Sequence, residues 1–195
     1  LGENTDIYLA RVNWSADGRT LYVQRQSRDQ KTLDLLSVDP ATGASRLILS
    51  QKADAWVDLN NDFRVLKDGR FLWSNEDSGW RHLYLYDRDG RLVRPITRGD
   101  YPVKRLDGVD ETTGDVFFTA SMRDGKELPI EQQMFRASLN RTIDPVAVTP
   151  AGGWWNVSVN GPATAYVGNY SDPKTPPQSA LYSIDGQRIR WIEEN

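Results

Sequence analysis

The sequence predicts an all-β fold, a β-propeller fragment of about four four-stranded antiparallel blades, from three observations. First, an anchor strand recurs about every 45 to 50 residues, as Leu21-Tyr22-Val23, Phe71-Leu72-Trp73, Val116-Phe117-Phe118 and Ala165-Tyr166-Val167. A strand-only repeat of that period is the signature of propeller blades. Second, each anchor is followed by another strand ending in a turn: Leu33 to Asp39, Leu83 to Asp87, Met134 to Leu139 and Leu181 to Asp185. Third, no stretch places apolar residues at i, i+3, i+4 and i+7 over three turns, so helix is expected to be near zero. In most families four blades do not close a stable propeller alone. The repeat therefore implies one partial propeller domain over residues 1–195.

The first blade is expected over about residues 6–52. Ile7 to Trp14, Leu21 to Gln26, Leu33 to Val38 and Ser45 to Leu49 read as its strands. Ser15 to Arg19 reads as a hairpin of the two-residue kind with Asp17-Gly18 at its centre, because glycine accepts the positive φ such a turn demands. Pro40 to Gly43 is the next turn. The second blade, about 53–99, repeats the plan. Its strands are Phe63 to Leu66, Phe71 to Ser74, Arg81 to Tyr86 and Leu92 to Thr97. Pro95 suits an outer edge strand, where a lost N–H costs little. The third blade, about 100–150, holds Val116 to Ala120, Met134 to Leu139 and Val146 to Thr149. The fourth, about 151–195, opens at Gly152-Gly153-Trp154-Trp155 and carries Ala165 to Tyr170, Ala180 to Ile184 and Ile189 to Ile192. Asp172 to Pro177, with three prolines, reads as a stiff extended loop.

Composition narrows the chemistry. Hydrophobic residues make up 38% and charged residues 26%, with seven Trp and eight Tyr. Such rings fill space between packed sheet faces. A net charge of −3 argues against nucleic acid, whose binders carry a basic face. With no cysteine there is no disulfide, thiolate catalysis or Cys-ligated zinc. No apolar run approaches the roughly 18 residues needed to span a bilayer. The start at Leu1 and the lack of a signal peptide read as an excised segment.

Three segments carry a family resemblance. Gln24 to Leu36 (QRQSRDQKTLDLL), Trp56 to Phe63 (WVDLNNDF) and Phe71 to Tyr86 (FLWSNEDSGWRHLYLY) resemble blades of bacterial dipeptidyl peptidase IV-like proteins, in the prolyl oligopeptidase superfamily. The chain end, Trp191 to Asn195, resembles the family's exit from its propeller. The resemblance implies an eight-bladed propeller over an α/β-hydrolase domain, in a serine peptidase that removes dipeptides from peptide N-termini. This chain would be roughly the C-terminal half of that propeller. It would gate and line peptide access to a hydrolase domain of the same chain. A periplasmic or secreted location is favoured by the same resemblance.

None of the family's catalytic residues can be placed here. Its nucleophile sits in a Gly-x-Ser-x-Gly elbow, which does not occur in these residues. Glu193-Glu194 is the only adjacent Glu pair and lies away from the position of the family's substrate-binding Glu pair. No catalytic residue, metal ligand or cofactor is therefore assigned. By itself the chain is expected to show no peptidase activity.

The remaining candidates each face a structural alternative. His82 is the only histidine and the only neutral-pH general base. Its place in a strand favours a ring that bonds a neighbouring loop. Asp87-Arg88-Asp89-Gly90 opens like a calcium loop, but position twelve is Arg98 rather than Glu, which favours a hairpin turn. Asp68-Gly69, Asp124-Gly125 and Asp185-Gly186 repeat that turn. Most tryptophans are expected in the core or between blades. Trp56 is the exception. It lies where the resemblance is strong and no strand is evident, and loops on rigid scaffolds carry binding residues. Trp56, Asp58 and Asn60 are the candidate substrate-access residues. Sequons at Asn13, Asn140, Asn156 and Asn169 read as chance.

Two rival functions fit the same repeat. One is a stand-alone propeller-type binding module. The other is a propeller piece of an acylaminoacyl peptidase-like enzyme. The open half-propeller would also expose apolar blade faces, so a homodimer closing the ring is a further expectation.

Overall fold

The computed structural model describes residues 5–123, 126–127 and 131–195. Those residues contain no helix, so none is long and apolar enough to cross a membrane. Among the described residues eighteen strands form four four-stranded antiparallel sheets and one short ribbon. The first sheet, in order, is β1 (Ile7–Trp14), β2 (Leu21–Ser27), β3 (Thr32–Val38) and β4 (Ser45–Lys52). The second is β5 (Arg64–Val65), β6 (Phe71–Asn75), β7 (His82–Tyr86) and β8 (Leu92–Pro95). The third combines β9 (Val103–Asp110), β10 (Asp115–Ala120), β13 (Gln133–Ser138) and β14 (Val146–Ala147) in the order β14-β13-β10-β9. Between them β11 (Met122–Arg123) pairs with β12 (Lys126–Glu127). The fourth sheet is β15 (Trp154–Val159), β16 (Ala165–Asp172), β17 (Thr175–Ser183) and β18 (Arg188–Glu193).

By compactness the chain divides into two units, Leu1–Ser74 with Tyr84–Arg94, and Asn75–Leu83 with Pro95–Asn195. In the first unit a core joins Tyr22, Leu33 and Leu35 of the first sheet to Phe63, Phe71, Trp73 and Tyr86. The rings pack edge to face, Phe63 lying 5.4 Å from Tyr22 and 5.6 Å from Phe71. Such contacts add about 0.5–1.5 kcal/mol per pair beyond area burial. In the second unit Trp155, Tyr166 and Tyr182 pack with Phe117 and Met134. Gly168 lies among those rings, where a Cβ would come within 3.0–3.2 Å of all three.

Pairing register assigns faces in the first sheet. Val12, Val23, Leu36 and Leu47 lie directly opposite one another across its four strands. They share a face, because directly paired residues point the same way. Trp14 extends that row, and the core residues Tyr22, Leu33 and Leu35 occupy the opposite face.

Four findings depart from the sequence expectations. The Asp-Gly hairpins are not two-residue turns. At Leu66, Asp87 and Ser183 the N–H bonds the carbonyl four residues on, and the glycine N–H three residues on bonds back. That is a type I turn closed by a glycine at positive φ, as at Gly69, Gly90 and Gly186. The aspartate caps the turn, as Asp68 accepts the Arg70 N–H at 3.0 Å. Asp124-Gly125 lies outside the described residues. Second, Asp172 to Pro177 is a hairpin, not a loop. Asp172 accepts the backbone N–H groups of Lys174 and Thr175 at 2.7 and 2.9 Å, which turns the chain. The prolines at 176 and 177 face a register shift in β16 and precede the β18 pairing, so they interrupt no ladder. Third, β9 and β15 are full strands where the sequence showed none or only an opening. Fourth, among tryptophans only Trp73 and Trp155 are buried, whereas Trp14, Trp56 and Trp154 are exposed. Trp14 sits on the outward face of the first sheet. Pro95 does end an edge strand, β8.

Candidate functional site at the loop after the first sheet

Residues 53–63 leave β4 and run to the second sheet, within the first unit. Two glutamines of β2 hold this loop. Gln24 and Gln26 are two residues apart, so they share the core-facing side of the sheet with Tyr22. Both are buried. Gln24 donates from Nε2 to the Asn60 carbonyl at 2.7 Å and accepts the Asn60 N–H at 3.0 Å. Gln26 donates to the Val57 carbonyl at 2.6 Å, while the Val57 N–H bonds the Gln30 carbonyl at 2.7 Å. A loop without ladder partners thus has its buried backbone groups satisfied by two glutamine side chains and one backbone carbonyl, as burial requires.

This clamp separates the three candidate residues. Asn60 is 5% exposed, and its side chain is consumed inside the fold. Its Nδ2 donates to the Ser74 carbonyl at 2.7 Å, and its Oδ1 accepts the Asp62 N–H at 3.1 Å. Trp56, by contrast, is 64% exposed, and Asp58 is exposed too. The alternation follows from the clamp. Val57 is drawn into the core and Leu59 packs against it, so 56 and 58 point outward. Beside the loop, Arg11 donates from Nε to Asn61 Oδ1 at 3.2 Å. Nothing in the sequence marked Gln24 and Gln26 as supports, except that two polar residues fall where an inward-facing strand row should be apolar.

His82 is buried at 2% exposure in the second unit. Its Nε2 lies 2.9 Å from the Gly99 carbonyl, which only accepts, so Nε2 carries the proton. Its Nδ1 then accepts the Thr97 hydroxyl at 3.0 Å. That hydroxyl in turn accepts the Leu83 N–H at 3.0 Å. Burial holds the imidazole below its usual value, against a weaker opposing effect of the Gly99 carbonyl. Tyr101 packs edge-on to the ring at 5.2 Å, its own phenol pushed up to about 12 by burial. Both ring nitrogens are engaged and water is excluded, so His82 ties β7 to the segment that follows β8. The Asp87 carboxylate accepts the Asp89 and Arg91 N–H groups at 2.9 Å, which is turn chemistry rather than a cation loop. No group of three or more His, Asp or Glu side chains is placed to hold a metal among the described residues.

Comparison with known proteins agrees with this architecture. The family model for the dipeptidyl peptidase IV N-terminal region matches residues 1–177. A probable dipeptidyl peptidase 4 of Aspergillus flavus is 23% identical over 203 residues, covering 99% of this chain and 26% of that protein. Dipeptidyl peptidase 4 of Arthroderma otae is 24% identical over 199 residues, covering 97% and 25%. The crystal structure of Porphyromonas gingivalis dipeptidyl peptidase 4 superposes over the whole chain with a TM-score of 0.86 at 24% identity, using 27% of that structure. The chain thus spans about a quarter of the length of the relatives it matches. Those curated relatives are fungal, so the bacterial origin suggested by the resemblance is not supported. The sheets, their order and these matches together show that the chain belongs to the dipeptidyl peptidase IV family, as a β-propeller piece of its N-terminal region.

Proposed function

We propose that this chain forms the C-terminal half of the propeller in a serine-type dipeptidyl peptidase that releases N-terminal dipeptides. It lines and gates the route by which peptides reach an α/β-hydrolase domain elsewhere in the same protein. The observation that carries this reading is the clamped loop. Gln24 and Gln26 fix its backbone, and Trp56 and Asp58 project from it. An exposed indole on a rigid support is a contact for an extended peptide, worth about 0.5–1.5 kcal/mol. Asn60 serves by positioning rather than by touching substrate. The test is Trp56→Ala in the complete enzyme, assayed on a dipeptide chromogenic substrate and on a longer peptide. KM is expected to rise about three- to tenfold for the longer peptide. An unchanged kcat/KM for both substrates overturns the access role.

The same reading makes the chain a partner-binding piece. On the outward face of the first sheet Leu9, Val12, Trp14 and Leu47 are all more than half exposed. At its open end Gly43 meets no atom within 4 Å, whereas Gly90 and Gly186, in the matching turns, abut the carbonyls of Ile48 and Val148. An apolar face of this kind favours association. A second copy of the chain, closing a ring by two-fold symmetry, is the proposed occupant. A monomeric mass by light scattering at high concentration overturns it.

A further inference from the structure

We propose that the crevice beside Tyr22, Arg46 and Arg88 in the first unit is a binding site for a small monoanionic carboxylate. The cavity measures about 280 Å³, and its lining includes Asp17, Tyr22, Arg46, Lys67, Asp68 and Arg88. Ligand pockets run from about 300 Å³ upward, so this cavity lies at the small end and has ample room for a small carboxylate.

Two features point to an anion. The first is Tyr22. The residue is only 6% exposed, and its ring is fixed edge-on against Phe63. Its hydroxyl has no hydrogen-bond partner among the described residues. It is not sealed in the core either, and it opens on the cavity. Arg46, Arg88 and Asp17 are the charges its phenol senses. A hydroxyl on a fixed ring, without a protein partner and open to the cavity, is a ready donor to a ligand there.

The second feature is the charge balance. The lining carries three cations, Arg46, Lys67 and Arg88, and two carboxylates, Asp17 and Asp68. Both carboxylates are already engaged. Asp17 accepts the Ser15 hydroxyl at 2.6 Å and the Arg19 N–H at 3.0 Å. Asp68 accepts the Arg70 N–H at 3.0 Å and pairs with its Nε at 2.7 Å. Arg46 is shared with Asp89 at 3.0 Å. Among the described residues Arg88 has no ion pair, only a long 3.4 Å bond from Nη2 to the Asp68 carbonyl. Its guanidinium lies over Gly69, where even a Cβ would sit 3.7 Å away. One guanidinium without an ion pair and one hydroxyl without a partner line the same cavity, which matches a planar single charge. The fork binds two carboxylate oxygens, and the phenol donates to one of them. A phosphate carries nearly two charges and would need a second unpaired cation.

The test follows the arginine Nε–H and backbone amide NMR signals of the protein during titration with sodium acetate. Sodium chloride at matched ionic strength and inorganic phosphate form the control arms. Acetate is expected to give saturable shifts at Arg88 Nε and the Gly69 amide, with a dissociation constant of the order of millimolar. Arg88→Gln should weaken binding at least about tenfold. Tyr22→Phe, which removes only the hydroxyl, should weaken it about three- to tenfold with the rest of the spectrum unchanged. Non-saturating shifts reproduced by chloride, or wild-type titration by Arg88→Gln, overturn the site. Phosphate binding more tightly than acetate overturns the monoanion assignment.

Discussion

Gln24→Met is the sharpest probe of how the loop is held. Methionine keeps the length and volume of the side chain but loses both its donor and its acceptor. The Asn60 N–H and C=O are then left facing an apolar side chain. Gln24 is 1% exposed and Asn60 is 5% exposed, so water does not substitute. Each buried backbone group stripped of its partner costs about 1–3 kcal/mol, giving about 2–6 kcal/mol for the pair. For a chain of this size that corresponds to a fall in Tm of about 5–15 °C. Urea unfolding measures the loss directly. Hydrogen exchange should show the Asn60 amide losing protection in excess of the global change. A Gln24→Met protein within about 0.5 kcal/mol of wild type, with Asn60 still protected, would refute the clamp.

Three further predictions follow from geometry elsewhere. Gly90→Ala should destabilise by more than about 3 kcal/mol in urea unfolding, because φ is +82° and a Cβ would run into the Ile48 carbonyl oxygen. Gly43→Ala, at φ +74° in open space, should cost only the conformational penalty of about 1–2 kcal/mol, and equal losses at the two positions would contradict the packing argument. Gly168→Ala should cost about 1–3 kcal/mol by crowding Trp155, Tyr166 and Tyr182, read by the same unfolding curves. His82 is held neutral when folded, whereas the unfolded chain takes up a proton near pH 6.5. Its contribution is therefore complete above about pH 6.5 and is lost as the pH falls below it, at up to about 1.4 kcal/mol per unit. Stability measured between pH 7 and 5 should slope less in His82→Gln than in wild type, and identical slopes would exclude this linkage.

What could be read from the sequence was the periodic part. β1 runs from Ile7 to Trp14 as expected, and the anchor strands fall on β2, β6, β10 and β16. β2, β6 and β10 combine β-branched or aromatic residues with a turn closed by a positive-φ glycine, Gly18, Gly69 and Gly114, so local propensity and the fold agree, whereas the turn before β16 is closed by Ala163. β9 was invisible because its residues (VKRLDGVD) show no apolar alternation. It exists because β10 pairs along its length. Asp-Gly does not by itself set the turn type, because it serves both the two-residue turn and the type I turn with a glycine bulge. The distinction lies in which N–H groups close the loop. The exposed faces of Trp14 and Trp154 were equally hidden, since an aromatic in a strand does not say whether anything covers it. The glutamine clamp was readable only in outline, as polar residues at inward positions without an evident partner.

That clamp also separates the neighbouring residues Trp56 and Asp58, which are exposed, from Asn60, which is buried. Trp56 and Asn60 lie four positions apart in one loop, yet one is exposed and the other is built into the core. Substitution should therefore separate them by kind of effect, not only by size. Asn60→Ala removes the donor to Ser74 and the acceptor for Asp62, and should lower stability by about 1–3 kcal/mol. In the complete enzyme it would reduce kcat/KM only through a displaced loop, and Asn60→Asp, which keeps the acceptor, should restore part of both. Trp56→Ala removes an exposed ring that touches little, so unfolding should shift by less than about 0.5 kcal/mol while KM for longer peptides rises. If the two variants lose stability alike, the loop is a single structural unit and Trp56 is no contact. If neither changes kinetics, peptide access runs elsewhere, and the loop's order serves only the packing of Val57 and Leu59 against the first-unit core.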